Sequence, residues 1–387
     1  MNNKKIAVIG RGVIGLSTGL HLKECGFEVT LFGPDTLENI ASTAAVGIVS
    51  TKGITLANTP FFKDKMVGNR SFANFLKKIE RYSKYPIKSQ FSGVHEIAQT
   101  LEDYQILKER VYHGNYTGCT LFEFHRSNQG RSKSFIPHQY LKTKGSPFGS
   151  FHYPFDLWVD PVSFIDSLEK ALDNMGIPKI PFLVDSISLD NKTFRVLTKK
   201  ENFVFDEVVL ACGHNTPDVL KKHFDIEFLP FLTVPGLTMT GHFDNENITF
   251  SFGRRALSIH QNKLRYGSID FSKNSHPSLA CKKERFHLLK SEANEKFGHG
   301  SLNNLDSLFG IRLALKDRKP LIGPLQLTHA RKIWLNCGFH KNAYSFCEAA
   351  GKEIARLLLL KDPQSQAQIT QYSPLRFQHR SNSNSTK

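Results

Sequence analysis

Ile6-Ala-Val-Ile-Gly10-Arg-Gly12-Val-Ile-Gly15-Leu-Ser-Thr-Gly-Leu-His-Leu-Lys-Glu-Cys-Gly26-Phe-Glu-Val-Thr-Leu-Phe32 is the stretch whose reading decides the fold. Ile6 to Ile9 is a short, wholly apolar run suited to a central parallel strand, and Ile14 to Glu24 carries apolar residues at helical spacing. Cys25-Gly26 closes that helix, and Phe27 to Phe32 alternates as a second strand, completing a β-α-β unit. Between strand and helix stands the triplet Gly10, Gly12 and Gly15. The first glycine makes the tight turn, the second lets the backbone approach a pyrophosphate, and the third lets helix and strand pack closely. The helix N-terminus, at Val13 and Ile14, supplies main-chain N–H groups to that anion. The unit therefore reads as the dinucleotide-binding core of an α/β protein.

Two local details qualify this reading. An acid at the end of the second strand would hold a ribose hydroxyl, but Gly33 fills that slot and Asp35 follows two positions later. The adenosine ribose is then held either by Asp35 or by main chain alone. Gly15-Leu-Ser-Thr-Gly19 also satisfies the nucleophile-elbow pattern. Such an elbow needs its serine on the strand-to-helix turn, and Ser17 falls inside the helix after the turn has been made.

The remaining sequence sets the scale. With 387 residues, 40% hydrophobic and 22% charged, the chain can bury a large core, which excludes disorder and fibrous classes. Six cysteines, Cys25, Cys119, Cys212, Cys281, Cys337 and Cys347, lie far apart with no C-x-x-C pair, so they read as reduced thiols rather than a disulfide framework or zinc site. No signal-peptide h-region and no bilayer-length apolar run is present, which implies a cytoplasmic protein that does not enter a membrane. The unusual quantity is the formal charge of +16, from 51 Lys and Arg against 35 Asp and Glu. It points to an anionic partner, or to a generally basic proteome. Part of it is local. Residues 61–90 hold Lys63, Lys65, Arg70, Lys77, Lys78, Arg81, Lys84 and Lys88 against only Asp64 and Glu80, alongside a helical apolar stripe of Phe72, Phe75, Leu76, Ile79 and Tyr82. Residues 125–145 add Arg126, Arg131, Lys133, Lys142 and Lys144 with no acid, in loop-like sequence.

Further along, Phe203 to Gly213 ends in a buried parallel-type strand and a glycine, Leu237 to Phe252 and Leu257 to Phe271 read as antiparallel strands, and Ser345 to Leu360 reads as a helix. Gln378 to Lys387 is polar and reads as a disordered tail.

Several separated segments, in order, resemble the FAD-dependent D-amino acid oxidase and glycine oxidase superfamily over roughly residues 4–377. Besides the glycine triplet, Ala41-Ser-Thr-Ala-Ala-Val-Gly47 is similar to the family's small-residue segment along the flavin pyrophosphate, and Trp158-Val-Asp-Pro161 to its entry into a helix. Val208-Val-Leu-Ala-Cys-Gly-His214, Gly310-Ile-Arg-Leu-Ala-Leu-Lys-Asp-Arg-Lys-Pro-Leu-Ile-Gly323 and Gly338-Phe-His-Lys-Asn342 resemble three further motifs. The resemblance implies a discontinuous, Rossmann-like FAD-binding domain (1–85, 150–220 and 305–377) and an inserted antiparallel-sheet substrate domain (86–149 and 221–304).

It also implies roles. Gly10, Gly12, Val13, Ile14, Gly15, Asp35, Ser42, Thr43, Val184, Gly213, Gly338, Asn342 and Ala343 would contact FAD, with Ser42 and Thr43 offering short hydroxyls. Arg312 occupies the position whose planar guanidinium grips a substrate carboxylate. His340 and Lys341 stand in the loop facing the isoalloxazine, where positive charge and N–H groups stabilise reduced flavin. The sequence departs from the pattern at Lys341, in place of arginine, at Ala343, in place of glycine, and at Pro235, where many relatives carry arginine. The implied reaction is oxidation of the C–N bond of a small amino acid or N-substituted glycine. The alternative is a carboxymethylaminomethyl-type wobble uridine in tRNA, since Leu31-Phe-Gly-Pro-Asp35 and Gly149 to Pro161 also resemble the FAD domain of the tRNA-modifying members. A flavin-binding module without turnover is a third reading.

Overall fold

The computed structural model describes residues 4–35, 40–50, 60–98, 100–115, 123–125, 149–153, 155–190, 192–243, 248–252, 255–297, 302–328, 331–360 and 371–377. Lys5–Ile9 and Glu28–Phe32 form parallel neighbours, with Val13–Glu24 as the helix between them. They lie inside a six-stranded sheet. Its order is Leu321–Thr328, Arg331–Cys337, Glu207–Leu210, Lys5–Ile9, Glu28–Phe32 and Lys179–Ile180, parallel except for the first pair.

Side chains alternate across this sheet, and each face has its own core. Ile6 and Val8 pack with the helices Val13–Glu24, Pro161–Asn174 and Ala343–Leu359. Ala7 and Ile9 face the other way, onto the small antiparallel sheet of Val184–Asp190, Thr193–Thr198 and Asn202–Phe205. The helix Pro161–Asn174 begins where its sequence directs: Asp160 accepts the Ser163 N–H at 2.7 Å, and Pro161 fills a position needing no N–H donor. The result is the α/β architecture expected from the glycine turn.

An eight-stranded, mostly antiparallel sheet forms the second layer system. Its order is Asn303–Leu315, Phe231–His242, Lys263–Asp270, Arg255–His260, Ile248–Phe252, Val94–Ala98, Gly149–Tyr153 and Glu123–His125. Buried Leu237, Met239, Leu257, Tyr266 and Leu289, the last from the helix Leu279–Phe297, make its core. One strand belongs to both halves. Asn303–Leu315 pairs with Phe231–His242 along its length, yet Leu313 and Leu315 at its end are buried in the core of the dinucleotide unit. Strand pairing thus puts Gly149–Tyr153 and all of Asn303–Leu315 in the larger sheet, whereas boundaries at 150 and 305 had divided them.

Two of the expected strands are each broken in two. The run from Leu237 to Phe252 divides into Phe231–His242, which starts earlier, and Ile248–Phe252. The run from Leu257 to Phe271 is the hairpin Arg255–His260 and Lys263–Asp270. Its connection, Gln261-Asn262, has positive φ at both residues (49° and 61°), the geometry that matches the twist of a two-residue hairpin. The stretch with the apolar stripe is the helix Pro60–Ser83, burying Phe72, Phe75, Leu76 and Ile79. Residues 126–145 of the second basic stretch, Cys119 and the tail 378–387 lie outside the described residues. Among the described residues no helix is long and apolar enough to cross a membrane.

Candidate active site

The glycine turn is held by contacts no side chain could share. Gly10 has φ +118°, and a Cβ there would stand 2.3 Å from the Ala211 carbonyl oxygen. A Cβ on Gly15 would stand 1.8 Å from the Gly10 oxygen. Helix and strands therefore pack through bare backbone. Gly12 opens the helix, and the Val13 N–H donates to Ser42 Oγ at 3.1 Å, so Ser42 caps the helix from a distant segment.

That segment, Ala41 to Gly47, is anchored from two sides. The Tyr344 hydroxyl donates to the Ser42 carbonyl oxygen at 2.7 Å. Arg265, on the larger sheet, donates through one guanidinium nitrogen to the carbonyls of Thr43 and Ala45, each at 2.7 Å. Burial lowers the Arg265 pKa from its ordinary value and raises that of the Tyr344 hydroxyl.

Two cavities meet over these elements. The first, about 330 Å³, is lined from Gly10, Gly12, Val13 and Ile14 through Val184 and Gly213 to Gly338 and His340. The second, about 390 Å³, lies against the larger sheet, lined among others by Gly236, Ser268, Lys341 and Asn342. Ser42, Arg312, His340 and Ala343 line both. They mark the junction.

At the junction Arg312 is already engaged. Its Nη2 lies 2.5 Å from Asp270 Oδ1, and Lys341 Nζ lies 3.2 Å from Asp270 Oδ2. Ser268 Oγ donates to the same Oδ1 at 3.2 Å. Burial works to raise the Asp270 carboxyl, but the charges and hydrogen bonds of Arg312 and Lys341 outweigh it and hold its pKa at about 2. Gly236 makes room for this pair, since a Cβ there would stand 2.4 Å from Arg312 Nη2. His340 adopts a left-handed φ of 53°, and its N–H donates to the Leu313 carbonyl at 2.8 Å, which seats the loop beside Arg312. Burial, together with the charges of Arg312 and Lys341, pushes the His340 imidazole down to about 3. At neutral pH the cations of the junction are Arg312 and Lys341, and His340 is neutral.

Of the residues expected from sequence, Gly10, Gly12, Val13, Ile14, Ser42, Val184, Gly213, Gly338 and Ala343 line the first cavity. Arg312 and His340 sit at the junction, with Lys341 and Asn342 on the second cavity. Gly15 serves helix packing instead. Asp35 is exposed, its carboxylate 2.7 Å from Arg11 Nη1, and it is Gly33 and Pro34 that line the cavity. The Thr43 hydroxyl donates to the Ile40 carbonyl at 3.2 Å and does not reach the lining of either cavity. Asp270, Arg265, Gly236 and Lys65 were not legible as site residues. Lys65 lines the second cavity from the helix Pro60–Ser83, and burial pulls its ammonium down to about 8, partly offset by Asp156. It stands seven and eleven residues before Phe72 and Leu76, a spacing that puts it on the buried stripe rather than with the solvated Lys63, Arg70 and Lys77, and this was the signal that could have found it.

The sequence matches the family model described as FAD dependent oxidoreductase over residues 5–357. The chain belongs to that family. Its cofactor is FAD. The residues fit that group: Gly12 keeps the helix N-terminus open beside Ser42, and Gly213, with φ +57°, has nothing within 4 Å of the place a Cβ would take on the cavity wall.

The uncharacterized oxidoreductase YurR of Bacillus subtilis (strain 168) is 22% identical over 229 residues. That match spans 58% of this chain and 60% of the relative's length. Two solved glycine oxidases are similar throughout. The enzyme of Geobacillus kaustophilus has a TM-score of 0.80 at 17% identity, covering 97% of this chain and 98% of the other. That of Bacillus cereus ATCC 14579 has a TM-score of 0.76 at 19% identity, covering 92% and 95%. At such identities the likeness shows the fold.

Proposed function

We propose that the chain is an FAD-dependent oxidoreductase that oxidises the C–N bond of a small amino acid or N-substituted glycine to an imine, which water then hydrolyses. The observation that carries this reading is the position of Arg312, a guanidinium at the junction of the two cavities with Lys341 beside it. A planar guanidinium binds a carboxylate through two parallel N–H donors, which orients the substrate as well as holding it. The glycine oxidases of the same fold support an amino acid as substrate.

FAD held in the first cavity would supply the hydride acceptor that this oxidation needs. Arg312 holds the carboxylate and so places that carbon. Lys341 adds positive charge at the junction. Neutral His340 fixes the loop through its main chain and donates no charge. Anaerobic bleaching of the flavin by glycine, sarcosine, D-amino acids and proline tests the reading, with Arg312→Ala expected to raise KM for the reactive amine by about a hundredfold or more. A full panel without bleaching would sink it.

The basic face of the helix Pro60–Ser83 favours a second reading, oxidation of a modified uridine in tRNA. Lys63, Arg70, Lys77 and Arg81 are exposed there, followed by exposed Lys84 and Lys88. Tight tRNA binding whose affinity falls steeply with salt is its expected signature.

A further inference from the structure

Asp270 is the unusual member of the junction. A site built only to grip a carboxylate would present Arg312 and Lys341 as cations, but both lie on the same acidic side chain. The arrangement is fixed by the fold. Asp270 ends the strand Lys263–Asp270 and pairs in register with Gly236 on the neighbouring strand. Gly236 pairs on its other side with Gly310, two residues before Arg312. The Arg312 side chain is 12% exposed and that of Asp270 36%, and the three residues on the Asp270 carboxylate, Arg312, Lys341 and Ser268, all line the second cavity.

A substrate carboxylate arriving at Arg312 must share the two cations with Asp270. Two carboxylates then compete for one guanidinium and one ammonium, and Asp270, half-buried, loses a charge-assisted hydrogen bond. A molecule carrying only a carboxylate leaves that loss uncompensated. One that also carries a cationic nitrogen replaces the lost partner, and every charge in the junction is again paired.

We propose that Asp270 sets the charge class of the substrate, seating its cationic nitrogen while Arg312 and Lys341 seat its carboxylate, so that zwitterionic amino acids bind and simple carboxylic or 2-hydroxy acids are rejected. This deepens the amine-oxidation reading and rests on Arg312 as the carboxylate anchor. Asp270 is then a specificity-determining residue, and the junction is bipolar.

Binding can be measured without turnover. 2-Aminoisobutyrate, 2-hydroxyisobutyrate and pivalate share one shape and one carboxylate, and none has a hydrogen on the carbon next to the carboxylate. Titrated into the flavin-loaded protein and followed by perturbation of the flavin absorbance, 2-aminoisobutyrate is expected to bind about ten- to a hundredfold tighter than the other two. Asp270→Asn is expected to abolish the preference and to bind pivalate at least as tightly as the wild type. Asp270→Glu, which keeps the charge, is expected to restore the preference and guards against a folding defect in the amide variant. Equal binding of the three ligands by the wild type, or a preference that survives Asp270→Asn, overturns the role of Asp270 and leaves the anchor intact. Pivalate binding that is unchanged by Arg312→Ala, or no binding of any of the three, overturns the anchor and this proposal with it.

Discussion

The Tyr344 hydroxyl donates to the main-chain carbonyl of Ser42 at 2.7 Å, which joins the first turn of the C-terminal helix to the segment that caps the glycine-turn helix. Tyr344 is 6% exposed, and Ser42 is half-buried on the wall of both cavities. Tyr344→Phe keeps the ring and leaves the Ser42 carbonyl without its donor, at a cost of about 1–3 kcal/mol. Chemical denaturation of the flavin-free protein should show that loss, and FAD affinity should fall with it because Ser42 lines the first cavity. An unchanged midpoint and an unchanged FAD affinity would show that the bond does not hold the segment.

Arg265 should matter more. It satisfies two carbonyls of the same segment from the other sheet. Arg265→Met preserves length and removes all donors, and a loss of about 2–4 kcal/mol is expected from two charge-assisted bonds. Because the residue touches neither amine nor carboxylate in the reading given above, kcat per bound flavin should change less than flavin content. A variant with full flavin content and lowered kcat would contradict this division.

The three glycines of the turn should differ in tolerance. A methyl on Gly10 or Gly15 meets backbone oxygen at 2.3 Å or 1.8 Å, which only displacement of strand or helix can relieve. Gly10→Ala and Gly15→Ala are therefore expected to yield colourless protein. At Gly12 the methyl meets the Ser42 hydroxyl at 3.2 Å, a contact that a small shift relieves. Gly12→Ala should fold, retain weaker FAD binding, and be recoverable with excess cofactor, as absorbance of the gel-filtered protein would report.

His340 gives a pH dependence with a defined sign. Its imidazole takes up a proton near 6.5 in the unfolded chain and only near 3 in the fold. Between those values the unfolded chain binds more protons, so this contribution to stability is complete above pH 6.5 and is lost as the pH falls toward 3. Other histidines held low by burial, such as His21 and His214, act in the same direction. The difference between wild type and His340→Gln isolates the single residue, and the variant should lose less stability between pH 6.5 and pH 4. Parallel curves would refute the assignment. If the wild type also shows a kinetic ionisation near 6.5 that vanishes in His340→Gln, the imidazole is not buried as described.

Much of this site was legible because its signals are local. The turn from Gly10 to Gly15 and the apolar stripe of Phe72, Phe75, Leu76 and Ile79 each act within a few residues, so spacing alone reports them. Gly338 to Ala343 was readable as a motif for the same reason. For Asp35 the sequence left two roles open, a ribose ligand or none, and only the fold shows Arg11 holding its carboxylate. The hairpin at Gln261-Asn262 was missed because neither residue is glycine, although both take the positive φ the turn needs.

By itself the sequence determined the α/β core, since the glycine turn is a short pattern whose physics does not depend on distant residues, while FAD and the role of Arg312 were implied by resemblance to a family. The tertiary structure decided what those residues meet. Asp270 is 42 positions before Arg312 and Arg265 is 222 beyond Thr43, and each pair is brought together only by strand register and sheet packing. The +16 charge is a property of the sequence, but the charge that governs the junction is the local balance of Arg312, Lys341 and Asp270. Electrostatic energy falls with distance and with solvent screening, so a half-buried carboxylate in contact with a guanidinium outweighs a surplus spread over the surface.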